Sequence, residues 1–355
     1  MAERFSVASS AALALLVACS GPVSPTVPAR AFAAQARPDL AYVLERCFRR
    51  STTCPKAGGF VQILGGATIT NGIQNPVSIA VNPATAELYV GNNLTKAFGS
   101  VTIYAPGRVR PQSTIPHIKG DPHAISIYRT GDAYVASQYV FQCCQLRSRV
   151  ASYAAGSSRP VRELRDLGAL AGAPAYDASG RLYVQNFAVF PGWIAVYAPG
   201  ESTPSRLVRD GIGFPEGLAV MPDGTLFVLN RKFDHTSDVL TYAPGGGKVT
   251  RRIATGFDRP LAIALDAAGN LYVANFGRRK HSGNVCVYLA GTSSVARVIR
   301  TGVDRPVDLA IDRSGHLLVL NAPAHGVNTV TVYANGGSSP LQTFALAQSA
   351  TTLAL

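Results

Sequence analysis

A chain of 355 residues with 47% hydrophobic side chains has ample material for a folded core. Only 15% of its residues are charged, which argues against an ordinary cytosolic enzyme and suits a sheet-rich extracytoplasmic protein. The formal charge of +13 raises nucleic acid or an anionic surface as partners, and six cysteines without a C-x-x-C pair exclude a zinc module.

In chain order, residues 1–18 read as a signal peptide: Arg4 supplies a thin positive start, and Phe5 to Ala18 is an apolar run too short to span a bilayer. The stretch Leu16-Val17-Ala18-Cys19-Ser20 resembles a bacterial lipobox, which makes Cys19 the lipidation candidate and new N-terminus. Ser20, where inner-membrane lipoproteins carry Asp, points by that resemblance to the outer membrane. The expected location is therefore the bacterial cell envelope: lipid-anchored, outer membrane, periplasm or cell surface. Residues 19–36 are a Pro/Ala-rich tether. Residues 37–59 read as a short helix and loop, with Leu40, Val43, Leu44 and Cys47 on one side of a helix over Asp39–Arg50. Cys47 and Cys54 are the disulfide candidates, since an oxidising envelope allows them to pair.

Residues 60–355 form the repeating part. L-Y-V-x-N followed by V-x-V-Y-A-P-G recurs six times, with the second position at 89, 134, 183, 227, 272 and 318. A period in the forties built of short strands is the signature of a β-propeller blade. In the fifth copy, Arg259 to Asp266 is a first, apolar run, Ala267-Ala268-Gly269-Asn270 a turn, and Leu271 to Asn275 the next strand. Asn284 to Tyr288 and Ala296 to Arg300 follow as third and fourth. The fold class is all-β: a propeller of four-stranded antiparallel blades. Before the first copy, Phe60 to Leu64 and Ala67 to Thr70 read as third and fourth strands; after the last, Ala350 to Leu355 reads as a first strand. A second strand to complete a further blade is not evident, so six blades are favoured and seven stay open.

Arginines recur in or beside the fourth strands (Arg162, Arg206, Arg251, Arg297), where positive charge on an exposed edge opposes pairing between molecules. That reading absorbs much of the net charge, and with the envelope location it argues against nucleic acid as a partner. The expected state is a monomer.

The repeat text, as in Pro215-Glu216-Gly217-Leu218-Ala219-Val220 and Gly269-Asn270-Leu271-Tyr272-Val273-Ala274-Asn275, resembles the NHL-repeat propellers. It is similar also to the six-bladed gluconolactonase and SMP-30 group. The resemblance spans about residues 60 to 355. It implies either a binding scaffold or a metal-dependent hydrolase working in the central channel, and fold alone does not choose.

The residues after each blade proline sit at the channel mouth, and three of them titrate: His123, Glu216 and Asp308. With Asn186 and Asn230 at second-strand ends they are oxygen-rich candidates for a divalent cation such as Ca²⁺, with His123 as candidate catalytic base. The competing reading makes the recurring asparagines loop caps. A second irregularity is blade 2, where Ser137 to Val150 is four residues longer than Asn92 to Val101. It carries Tyr139, Phe141, Cys143 and Cys144; blade 3 adds Phe187, Phe190 and Trp193. These aromatic residues are binding-loop candidates for a protein or glycan partner. The favoured function is a non-catalytic binding or scaffold propeller; the alternative is an SMP-30-type lactonase.

Overall fold

The computed structural model describes residues 6–9, 13–15, 40–46 and 58–355, apart from positions 96, 142–144, 166, 169, 173, 188–189, 280–281, 325 and 348. Seven four-stranded antiparallel sheets form a β-propeller ring. Strands are lettered A (innermost) to D (outermost) within each blade. Blade 1 comprises Pro76–Val81, Leu88–Asn93, Phe98–Tyr104 and Ser113–Lys119. Blade 2 comprises Asp121–Ile127, Ala133–Phe141, Gln145–Tyr153 and Arg162–Glu163. Blade 3 comprises Ala175–Tyr176, Leu182–Asn186, Trp193–Tyr197 and Arg206–Val208. Blade 4 comprises Phe214–Val220, Leu226–Arg231, Ser237–Tyr242 and Val249–Ile253. Blade 5 comprises Pro260–Leu265, Leu271–Asn275, Asn284–Tyr288 and Arg297–Ile299. Blade 6 comprises Pro306–Ile311, Leu317–Asn321, Thr329–Tyr333 and Pro340–Ala345.

Blade 7 is shared between the chain ends. Its A strand is Ser349–Ala354, and its B, C and D strands are Tyr42–Arg46, Gly59–Ile63 and Thr68–Ile69. Val43 pairs with Leu353 on one side and Gln62 on the other. The second strand missing from the sequence reading is thus Tyr42–Arg46, and the segment expected as a helix is a strand. Tyr42, Val43, Leu44 and Glu45 are all buried, because neighbouring blades cover both faces. The propeller accordingly starts at Tyr42 instead of residue 60 and has seven blades.

A separate hairpin, Ser6–Ser9 and Leu13–Leu15, lies inside the ring. Its first strand pairs with the A strand of blade 4, Ser9 opposite Gly217, and the hairpin touches the A strands of blades 1, 2, 3, 5 and 7.

The repeat letters have specific jobs. The Tyr of V-x-V-Y is buried and donates its hydroxyl to a carbonyl in the connection entering the same blade: Tyr104 to Asn71, Tyr197 to Arg165, Tyr242 to Asp210 and Tyr333 to Thr301, each at 2.7 Å. The Asn of L-Y-V-x-N takes a backbone N–H from that connection. Asn92 accepts from Gln74, Asn186 from Gly168, Asn230 from Gly213, Asn275 from Asp258 and Asn321 from Asp304, at 2.7–3.1 Å. Asparagine fits because one side chain both accepts and donates in a buried site.

The repeating arginine also changes role. Arg162, Arg206, Arg251 and Arg297 occupy the same D-strand register, opposite Ser152, Val196, Thr241 and Val287. Arg206 donates to the Gly245 carbonyl and Arg297 to the Gly336 carbonyl, each in the Ala-Pro-Gly-type turn of the next blade. All four Nε atoms are buried. Arg206 and Arg297 thus join adjacent blades, whereas Arg162 donates to the Tyr134 hydroxyl and Arg251 lies over Phe227 within their own blades.

Candidate functional site

The A strands of blades 1, 2, 4, 5 and 6 each open with a register shift, at Pro76/Ser78, Asp121/Ala124, Pro215/Gly217, Pro260/Ala262 and Pro306/Asp308. A bulge re-aims the side chains beside it. Glu216 is the residue skipped in blade 4, equivalent to Val307, whereas Asp308 is the next residue and pairs with Leu320. The two carboxylates therefore occupy different positions of the bulge and do not form a common site.

Each predicted channel residue has its own structural partner. Glu216 forms an ion pair with Arg231. Asp308 is buried; one oxygen accepts the Leu309 N–H at 2.7 Å and the other accepts the Leu353 N–H at 3.0 Å. Burial pushes its carboxyl well above the usual carboxylate range, against the lowering effect of those two bonds. His123 is partly buried, and its Nε2 lies 2.7 Å from the Ala171 carbonyl, with Nδ1 3.3 Å from the Asp121 carbonyl. The shorter contact assigns the single proton of the neutral ring to Nε2. Burial lowers the imidazole below its ordinary value, so the ring is held neutral.

These contacts share a direction. Ser78 of blade 1 donates to the Pro122 carbonyl of blade 2, His123 of blade 2 to Ala171 in the entry to blade 3, and Asp308 of blade 6 accepts from Leu353 of blade 7. Ser78, His123 and Asp308 thus bind the next blade around the ring, whereas Glu216 pairs within its own.

A cation would need several of these oxygens free and converging. Asn186 and Asn230 each commit the side-chain oxygen to a backbone N–H; Asn230 also donates to Asp238 at 2.8 Å, and Asn186 to the Val184 carbonyl at 3.1 Å. No cluster of three or more His, Cys, Asp or Glu side chains with metal-binding geometry occurs among the described residues. The donor set does not fit Ca²⁺. Cys286 is buried in a strand of blade 5, its thiol 3.3 Å from the Asn284 side-chain oxygen, and burial raises it. Cys19, Cys47, Cys54, Cys143, Cys144 and the Phe141 side chain lie outside the described residues.

The binding-loop candidates divide. The B and C strands of blade 2 run nine residues each, with Phe141 opposite Gln145, so this hairpin is longer than any other described. Tyr139 is half-buried under the Lys119 ammonium, 4.0 Å from the ring centre. Trp193 is half-buried beneath Arg209, and Phe187 is half-buried. Phe190 is 51% exposed. It stacks against Phe214 and against Phe233, which is 77% exposed, with ring centres 5.0 and 5.6 Å apart. Arg231 covers Phe214 at 4.9 Å. Phe233, in the B–C loop of blade 4, was absent from the sequence expectation. Leu94 and Phe98, Val140 and Val327 are further exposed apolar residues on B–C hairpin ends.

No family model matches the chain, and no curated protein matches it. Among solved structures it is similar to hydrazine synthase from Kuenenia stuttgartiensis, with a TM-score of 0.58 over 77% of this chain and 80% of that one, at 17% identity. That likeness shows a shared β-propeller fold.

Proposed function

We propose that this protein is a non-catalytic protein-binding propeller, held at the bacterial envelope through a lipid on Cys19 after removal of residues 1–18, a cleavage that would also take the Ser6–Leu15 hairpin out of the ring. The observation that carries the reading is the Phe190–Phe214–Phe233 cluster, two of whose rings face solvent beside Arg231. Exposed aromatics next to arginine are the composition of interface hot spots, where a few such side chains supply most of the binding energy. The long blade 2 hairpin and the apolar hairpin ends of blades 1, 2 and 6 lie on the same face. The sequence resemblance to NHL propellers supports a scaffold role. The lactonase alternative needs converging carboxylates, whereas Glu216 and Asp308 are each engaged separately.

The test is site-specific photo-crosslinking in cells that carry the natural envelope. A photoreactive residue at Phe233 or Phe190 should give one discrete protein adduct. The same probe at Ser157, in a C–D turn on the opposite face, should give none. Adducts of equal yield from both faces, or none from the cluster, would refute the reading.

A further inference from the structure

The opposite face, formed by A–B and C–D turns, carries a cavity of about 290 Å³ between blades 2 and 3. It arises where the repeat is broken twice. At the A–B turn the other blades place Asn82, Asp177, Met221, Asp266 or Asp312. Asp177, Asp266 and Asp312 each accept two backbone N–H groups of their own turn, and Asp177 and Asp266 also take the hydroxyl of the B-strand tyrosine. Blade 2 has Tyr128 there instead. Its B-strand tyrosine, Tyr134, consequently turns to the Arg162 guanidinium. The second break is Tyr176, in an A-strand register that holds Val81, Ile127, Val220, Leu265 and Ile311 elsewhere.

These departures meet in one place. Tyr176 lies 5.0 Å from Tyr128 and 5.6 Å from Tyr134, centre to centre. Gly180 lets Tyr128 lean across, since a Cβ at that glycine would sit 2.8 Å from the Tyr128 hydroxyl. The Tyr176 hydroxyl oxygen is buried and has no hydrogen-bond partner among the described residues, and the same is true of the Arg162 Nε. The Nε feature recurs in other blades; the orphan hydroxyl does not, because only blade 3 has a tyrosine in that register. A buried donor without an acceptor costs free energy unless something else supplies one.

We infer that this cavity is a binding site for a sugar ring bearing a carboxylate, such as a hexuronate unit. The Arg162 guanidinium lines the cavity and supplies donors for the carboxylate, and the Tyr176 hydroxyl at the cavity wall lacks an acceptor of its own. Asp132 and Thr130, themselves linked at 2.7 Å, supply polar partners for ring hydroxyls. Tyr128 and Tyr134 give flat apolar walls for the C–H face of the sugar. Arg129, over the Tyr128 ring at 5.6 Å, and Arg162 outnumber Asp132, so the surroundings favour an acid. The volume accepts a single ring. The site is independent of the aromatic cluster on the other face.

Calorimetric titration of the folded protein with galacturonate, galactose and acetate tests this. Galacturonate should saturate, with galactose and acetate each weaker by about tenfold or more, a single lost polar interaction being worth that much. Tyr176→Phe should weaken galacturonate at least about fivefold while melting no lower than wild type, because it removes an unsatisfied hydroxyl and keeps the ring. Tyr128→Asp, which restores the turn acid of the other blades, should also abolish binding in a folded protein. Absence of saturable galacturonate binding, galacturonate no better than acetate, or undiminished binding by Tyr176→Phe would each overturn the inference.

Discussion

Asn230→Ala separates a structural asparagine from a metal ligand. In the structure Asn230 is fully buried. Its oxygen accepts the Gly213 N–H at 2.7 Å, and its amide donates to Asp238 at 2.8 Å and, weakly, to the Gly211 carbonyl at 3.4 Å. Truncation strands the buried Gly213 N–H, at a cost of about 1–3 kcal/mol, and removes a charge-assisted bond worth a similar amount. Asp238 keeps Arg252 and Lys232, which limits the second loss. The expected total is about 3 kcal/mol, or roughly 6 °C in melting temperature at about 2 °C per kcal/mol for a domain of this size. Asn186→Ala should lose less, about 2 kcal/mol, since its amide reaches only a carbonyl two residues away. Thermal unfolding followed by circular dichroism, in chelator and again in Ca²⁺, measures both. A ligand role predicts an unchanged melt in chelator and a Ca²⁺ stabilisation lost in the variant. That pattern, with Asn230→Ala within about 1 °C of wild type in chelator, would refute the reasoning.

Three further outcomes are expected. Leu353→Ala, at a fully buried position of the A strand that closes the ring, should cost about 2–5 kcal/mol in denaturant unfolding; a loss below about 1 kcal/mol would mean that blade 7 is not assembled from both chain ends. His123, held neutral by burial, contributes stability that is present above its ordinary value of 6.5 and lost as pH falls below it. The melting temperature should therefore drop on acidification from 6.5 with a slope that His123→Gln reduces, and identical slopes would contradict the burial of the imidazole. Arg206→Leu should lower the melting temperature through loss of the Gly245 link to blade 4, and an unchanged melt would return this arginine to the role of edge charge.

The fold was largely legible because each blade is a complete unit of alternating strand and turn signals, written out six times. The seventh was harder because its strands come from both ends of the chain. Tyr42–Arg46 reads ambiguously: a short run buried on both faces has no alternation, and Leu40, Val43, Leu44 and Cys47 happen to fall at helical spacing. The site was less legible. His123, Glu216 and Asp308 stand at similar distances after a proline, but the bulge at that point sends adjacent residues in different directions. Arg231, the partner of Glu216, has no counterpart at the same position of other blades, and that signal was present in the sequence. Tyr128 and Tyr176 stand out only when the blades are aligned on the A–B turn instead of on L-Y-V-x-N. Phe233 is a lone aromatic in a polar loop, and its link to Phe190 crosses a blade boundary that no local pattern records.

The asparagines that repeat build the ring, and the aromatic side chains that break the repeat at Tyr128, Tyr176, Phe190 and Phe233 bind. One matched melting series tests it. Alanine variants of Asn92, Asn186, Asn230, Asn275 and Asn321 are compared with Phe190→Ser, Phe233→Ser, Tyr128→Asp and Tyr176→Phe. The account predicts that every asparagine variant melts lower than wild type, while the second group melts level with it or higher, as functional positions held at a cost to stability do. A second group that melts as low as the first would contradict it.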